Sequence, residues 1–209
     1  MARLSKRQEK NIGQAIVLTK DELIRIKAQK YAWSYYHLGD VIAKIRDFYN
    51  NEQNKLCAFC KLPFRDEIQV EHLIPKKGNN HRIEFSYTPR NLVVACRFCN
   101  TKKSTNNDFI TQTWRDYPQS GIYFKIIHPH YDKYFDHIQI VDKSRYVAKT
   151  LKGYKTIDRC GLYEVKITDL LVNYMRYEDD PIIHAVLKIR DLPRTSKELI
   201  DRFIDKILK

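Results

Sequence analysis

A chain of 209 residues with 43% hydrophobic content is long enough to bury a core, and its 6 glycines and 7 prolines are too few for a linker-rich or low-complexity tail. Its 38 Lys and Arg against 25 Asp and Glu leave a net charge of +13, a field that attracts polyanions such as nucleic acid. No apolar run nears the roughly 18 residues of a membrane helix, and the start Met1-Ala2-Arg3-Leu4-Ser5-Lys6-Arg7 leads into polar residues, so the expectation is a cytoplasmic protein with no membrane association.

In chain order, Thr19-Lys20-Asp21-Glu22 reads as a capping box opening a helix. Leu23, Ile26, Trp33, Leu38, Val41, Ile42, Ile45 and Phe48 carry the three-to-four spacing on through Tyr49, with a break and restart at Gly39-Asp40. Tyr31, Trp33, Tyr35 and Tyr36 form an aromatic cluster read as core or interface, with base stacking as its functional alternative. From Asn50 short apolar runs alternate with turn formers: Ile68 to His72 and Leu92 to Ala95 read as strands, and Asn100 to Asn107 as the start of a short helix. Farther on, Ile122 to Ile127 and His137 to Val141 read as strands and Leu162 to Met175 as a helix. A second capping box, Thr195-Ser196-Lys197-Glu198, opens a last helix with Leu199, Phe203, Ile204 and Ile207 on its apolar stripe.

Four of the five cysteines form two Cys-x-x-Cys knuckles, Cys57-Ala58-Phe59-Cys60 and Cys96-Arg97-Phe98-Cys99. Paired knuckles converge four thiolates on structural zinc; a reducing compartment opposes disulfides, and thioredoxin-like chemistry uses one such motif rather than two. Cys160 stands alone and reads as a small packed side chain. His128, His130 and His137, with Asp132 and Asp136, follow no common ligand spacing and read as a hydrogen-bonded loop beside the knuckle region.

Between the knuckles lie Val70-Glu71-His72-Leu73-Ile74-Pro75-Lys76 and Asn91-Leu92-Val93-Val94-Ala95, and the second knuckle continues Cys99-Asn100-Thr101-Lys102-Lys103. On these residues, about a quarter of the chain, the sequence resembles the HNH endonuclease family in its four-cysteine zinc variant. The resemblance implies an α+β protein: a zinc-stapled ββα-metal nuclease core over 54–112, a helical segment over 1–53 before it, and a mixed extension over 113–209 after it. It implies His72 as the general base, near neutrality in pKa as water activation requires. Glu71 and Asn100 would hold one catalytic ion, Mg²⁺ or Mn²⁺. Asn91 would pin the loop that carries the base, with Lys103, Lys76 and Arg97 as phosphate contacts. Glu71 stands where many members have Asp, and Asn100 where others have the last His.

The expected reaction is phosphodiester hydrolysis of double-stranded DNA leaving 5′-phosphate ends, with a homodimer or successive nicking cutting the two strands. The extension resembles those of HNH subunits in retron- and Septu-type anti-phage systems, where the nuclease works with an ATPase partner. Two alternatives stay open: a zinc-supported module that grips nucleic acid without cutting, and a nuclease subunit silent until a partner arrives.

Overall fold

Thr19 caps the first helix, α1 (Lys20–Ala28): its hydroxyl accepts the Glu22 amide while the Glu22 carboxylate accepts the Thr19 amide at 2.6 Å. The computed structural model describes residues 12–64, 67–77, 82–103, 115–141 and 145–165. All of them fall in the first of two compact units, Met1–Lys166 and Ile167–Lys209. Most of the helix expected over Leu162 to Met175, and all of the one opening at Thr195, lie outside the described residues.

The helical pattern read through Tyr49 is two helices. After α1 the chain reverses through Lys30 and Tyr31, both at positive φ (50° and 60°), and the Tyr31 amide closes the turn on the Ile26 carbonyl. Lysine and tyrosine do not advertise left-handed backbone, so the apolar spacing ran across the turn unbroken. The second helix, α2 (Tyr35–Glu52), starts at the Ser34 cap and kinks at Leu38, one residue before the break expected at Gly39. Arg25 of α1 makes a bidentate ion pair with Asp40 at 2.7 Å, fixing the two helices at an exposed edge.

α2 buries Leu38, Val41, Ile42, Ile45 and Tyr49, the i, i+3, i+4, i+7 stripe of an amphipathic helix. Against it pack β1 (Ile68–His72) and β2 (Leu92–Cys96), antiparallel with Glu71 opposite Val93 and His72 opposite Leu92. Burial of each large apolar side chain in this layer contributes about 1.5–3 kcal/mol. At the end of α2 the buried Gln53 side chain behaves like a piece of strand: its amide donates to the Leu56 and Val94 carbonyls and its oxygen accepts the Val94 amide, all at 2.8 Å. The third helix, α3 (Arg97–Lys103), leaves β2 without a loop, three residues earlier than the expected start at Asn100.

In the extension, α4 (Tyr134–His137) runs into β3 (Ile138–Val141), which pairs antiparallel with β4 (Arg145–Ala148). Thr150 then caps α5 (Leu151–Arg159). Gly153 is required in α5, because a Cβ there would lie 2.0 Å from the His137 carbonyl oxygen. The strand expected over Ile122 to Ile127 is instead a 3₁₀ turn, Gly121–Tyr123, followed by buried Phe124, Ile126 and Ile127. A short apolar run fits a buried loop as well as a strand, and here Thr156 of α5 takes the Ile127 amide at 2.8 Å in place of a neighbouring strand. The described residues thus form an α+β fold with two small antiparallel sheets. Among the described residues no helix is long and apolar enough to cross a membrane.

Candidate active site and metal centre

Cys57, Cys60, Cys96 and Cys99 come together with their sulfurs all within 4.8 Å of one another, the one such metal-ligating group among the described residues. The first knuckle turns through Lys61 at positive φ, with the Cys57 amide on the Leu62 carbonyl and the Lys61 amide on the Cys57 carbonyl. The second joins the end of β2 to the first turn of α3. Burial alone would push the Cys57 thiol up, but hydrogen bonds from Cys60, Cys96 and Cys99 hold it well below the ordinary thiol range. Four soft donors crowded in this way fit a tetrahedral ion, whose sulfurs at about 2.3 Å would stand about 3.8 Å apart. Cys160 is buried apart from this group, and burial pushes its thiol up.

The sheet edge and α3 bring the remaining motif residues together. Gln69 and Glu71, alternate residues of β1, share one face, and Asn100 and Lys103, one turn apart on α3, answer them. The Asn100 amide donates to Gln69 Oε1 at 2.7 Å, and Lys103 Nζ lies 2.6 Å from Glu71 Oε1 and 2.9 Å from the His72 carbonyl. Lys103, read from the sequence as a phosphate contact, is thus turned inward and fully buried, and Asn100 faces Gln69 rather than Glu71. The hard oxygens needed for Mg²⁺ or Mn²⁺ are present on Glu71 and Asn100, but one Glu71 oxygen already holds an ammonium, so an ion there would compete with Lys103.

His72 ends β1 and is buried. Its Nε2 lies 3.0 Å from the Ser86 carbonyl, which accepts only, so Nε2 carries the proton and Nδ1 is left as the basic nitrogen. Lys76 Nζ stands 3.4 Å from Nδ1. Burial, then the Lys76 charge, holds His72 well below the ordinary histidine range, so the ring is neutral at pH 7 and the near-neutral pKa expected of the base is not what this buried position gives. Burial likewise lowers Lys76, while Arg97 is exposed at the start of α3.

Asn91 is fully buried and joins the two sides of the connection between β1 and β2. Its Oδ1 accepts the Ile74 amide at 2.6 Å and its amide donates to the Ile74 and Phe85 carbonyls at 3.0 Å. The backbone on either side of it is held from outside the motif: Tyr49, Tyr117 and His130 occupy the carbonyls of Pro89, Arg90 and Leu92. His128 completes this bracket, its Nε2 2.9 Å from the Tyr117 hydroxyl and its Nδ1 accepting the His130 amide. His137 goes elsewhere, to Thr150. The histidine-rich stretch is therefore a hydrogen-bonded loop beside the motif.

Three residues of this site carry no motif signal. Ser86, Gln69 and Trp33 contribute a backbone carbonyl, a strand side chain and an indole whose ring centre lies 4.6 Å from that of His72; the alternation of β1 marks Gln69 in advance, and the aromatic cluster marks Trp33 without its partner.

Comparison with known proteins agrees with this geometry. Residues 57–106 match the HNH endonuclease family and form an HNH domain. A protein of Vibrio cholerae serotype O1 biovar El Tor named "Retron Vc95 putative HNH endonuclease" is 30% identical over 104 residues, which cover 44% of this chain and 51% of that protein. The chain thus spans about half the length of that relative. No solved structure matches the chain.

Proposed function

We propose that this protein is a metal-dependent HNH endonuclease that hydrolyses phosphodiester bonds of double-stranded DNA. The observation that carries the reading is the tautomer of His72: a carbonyl fixes the proton on Nε2 and leaves Nδ1, with the Lys76 ammonium 3.4 Å away, as the nitrogen that would take a proton from water. In this reading 54–112 is the nuclease core, stapled by zinc on the four cysteines, with a helical segment over 1–53 before it and a mixed extension over 113–209 after it. Glu71 and Asn100 would hold Mg²⁺ or Mn²⁺, which when bound supplies Lewis-acid stabilisation of the charge on the leaving oxygen. His72 removes the proton of the attacking water, Asn91 holds the two sides of the loop that follows the base, and Lys76 and Arg97 meet the phosphates. The net charge of +13 supports a nucleic-acid substrate.

The relative is named as a retron protein, which supports a defence role and a partner subunit for this chain; an ATPase as that partner is the expectation drawn from the family resemblance. One active site per chain cuts a duplex either by successive nicking or as a homodimer.

A second reading, a nuclease silent until a partner arrives, is favoured by one observation: the buried Lys103 neutralises Glu71 and would have to yield to a metal ion. Cleavage of supercoiled plasmid by the purified chain with Mg²⁺, Mn²⁺ or EDTA, with His72→Ala in parallel, tests both. Metal-dependent cutting lost in the variant supports the first. DNA binding without cutting, converted to cutting by a co-purified partner, supports the second. Salt-sensitive binding with no cutting under any condition leaves a binding module.

A further inference from the structure

We infer that Trp33 is a positioning residue for His72, so that the segment between α1 and α2, outside the HNH motif, helps to orient the base. The inference rests on the nuclease reading for its kinetic consequence and on geometry alone for the contact. The indole and imidazole meet edge to face, with centroids 4.6 Å apart and planes at 85°. Tyr87 stacks on Trp33 at 4.8 Å and 28°, and its hydroxyl donates to the Ala32 carbonyl at 3.1 Å, so Trp33 is held through both its ring and its backbone. Lys76 Nζ lies 5.4 Å from the Trp33 ring centre while standing beside His72 Nδ1.

The imidazole needs this wall. Nε2 lies close to the axis of the Cβ–Cγ bond, so its hydrogen bond to Ser86 resists rotation about that bond only weakly. Such a terminal torsion is broad unless something packs against the ring. Rotation would barely move Nε2 but would swing Nδ1, the nitrogen that takes the proton, away from the water it must meet. Trp33 packs against the ring and supplies the missing restraint. Its own placement follows from the left-handed turn at Lys30 and Tyr31, which sends the chain back from α1 toward the sheet edge. Trp33 is half-buried, whereas the apolar residues of α2 that face the sheet are buried.

The test uses the full chain with Trp33→Ala, Trp33→Phe and His72→Ala, reading steady-state cleavage rates against substrate concentration and the His72 ring protons by NMR. The expected result is a fall of roughly 10–100-fold in kcat for Trp33→Ala with KM nearly unchanged. Trp33→Phe should recover most of it, while zinc content and melting temperature stay close to those of the parent. The His72 Cε1 proton should shift and broaden in Trp33→Ala and stay sharp in Trp33→Phe. Parent-like kcat in Trp33→Ala, or an equal loss in both variants, would overturn the inference. If the parent itself does not cut, the nuclease reading fails and the NMR arm decides alone: a mobile ring in Trp33→Ala upholds the positioning contact, and an unchanged ring refutes it.

Discussion

Lys103 Nζ lies 2.6 Å from Glu71 Oε1 with both side chains buried, so an ion pair ties the helix of the HNH motif to the strand that carries its acidic and basic residues. The same ammonium donates to the His72 carbonyl and thereby anchors the backbone at the end of β1.

Replacing Lys103 with Met removes the partner of a buried carboxylate. The expected loss is about 3–5 kcal/mol of folding stability in EDTA, because Glu71 is left charged without compensation. Mn²⁺ should recover part of that loss by taking the place of the ammonium. Urea unfolding with and without Mn²⁺ measures both effects; a variant as stable as the parent in EDTA would show that the pair is not a structural tie.

A metal ion held by the four cysteines would couple to folding. Cys57→Ser should abolish stoichiometric zinc and lower the melting temperature by ten degrees or more, on the order of what a multi-kcal/mol loss produces in a domain of this size. Elemental analysis alongside thermal melts checks it. A zinc-free parent that melts unchanged after chelation would contradict the assignment.

Asn91→Ala leaves the Ile74 amide and the Ile74 and Phe85 carbonyls without their partner in a buried place. At about 1–3 kcal/mol for each unsatisfied group, partly relieved by relaxation, a loss of about 3–5 kcal/mol is expected. Cleavage should fall with it. Asn91→Asp keeps the acceptor for Ile74 but sets a buried carboxylate oxygen against the Ile74 and Phe85 carbonyls, and should destabilise at least as much as Ala at pH 7 in denaturant titrations.

His130 gives the fold an acid limit. Burial holds its pKa down to about 4; Nε2 donates to the Leu92 carbonyl, and Nδ1 finds no partner among the described residues. The unfolded chain takes up a proton near the ordinary histidine pKa of about 6.5, whereas the folded chain resists until about 4. The contribution is therefore fully present above pH 6.5, is lost as the pH falls toward 4, and amounts to about 3 kcal/mol in all. His130→Gln retains an amide donor and does not titrate, so its stability should fall less steeply over that window. An identical pH slope for parent and variant would remove His130 as the source.

The motif residues were legible in the sequence because their spacing reports chemistry directly. Two knuckles announce a four-sulfur cluster, and the alternation around Glu71-His72 announces a strand. Partners set by tertiary packing were not legible. Lys103 looked like a free cation since nothing in Thr101-Lys102-Lys103 tells which lysine faces inward; the register of β1 against α3 decides it. Asn100 looked like a neighbour of Glu71, yet Gln69, two residues earlier on the same face, meets it. The break between α1 and α2 escaped the apolar pattern because Lys30 and Tyr31 adopt a backbone that favours glycine or asparagine. The apolar run from Ile122 to Ile127 read as a strand because burial without pairing leaves the same apolar signature.

The carbonyls of Pro89, Arg90 and Leu92 are each occupied by a side chain from outside residues 57–106: Tyr49 from the N-terminal side, Tyr117 and His130 from the C-terminal side. An HNH motif built this way is not a portable cassette. Grafted into another scaffold, it would carry three partly buried acceptors that the new host must supply with donors, and each left unmet would cost about 1–3 kcal/mol at the loop holding Asn91. Sequence change at Tyr49, Tyr117 or His130 should therefore be tolerated only where the replacement still donates, a constraint on residues that lie outside the matched segment.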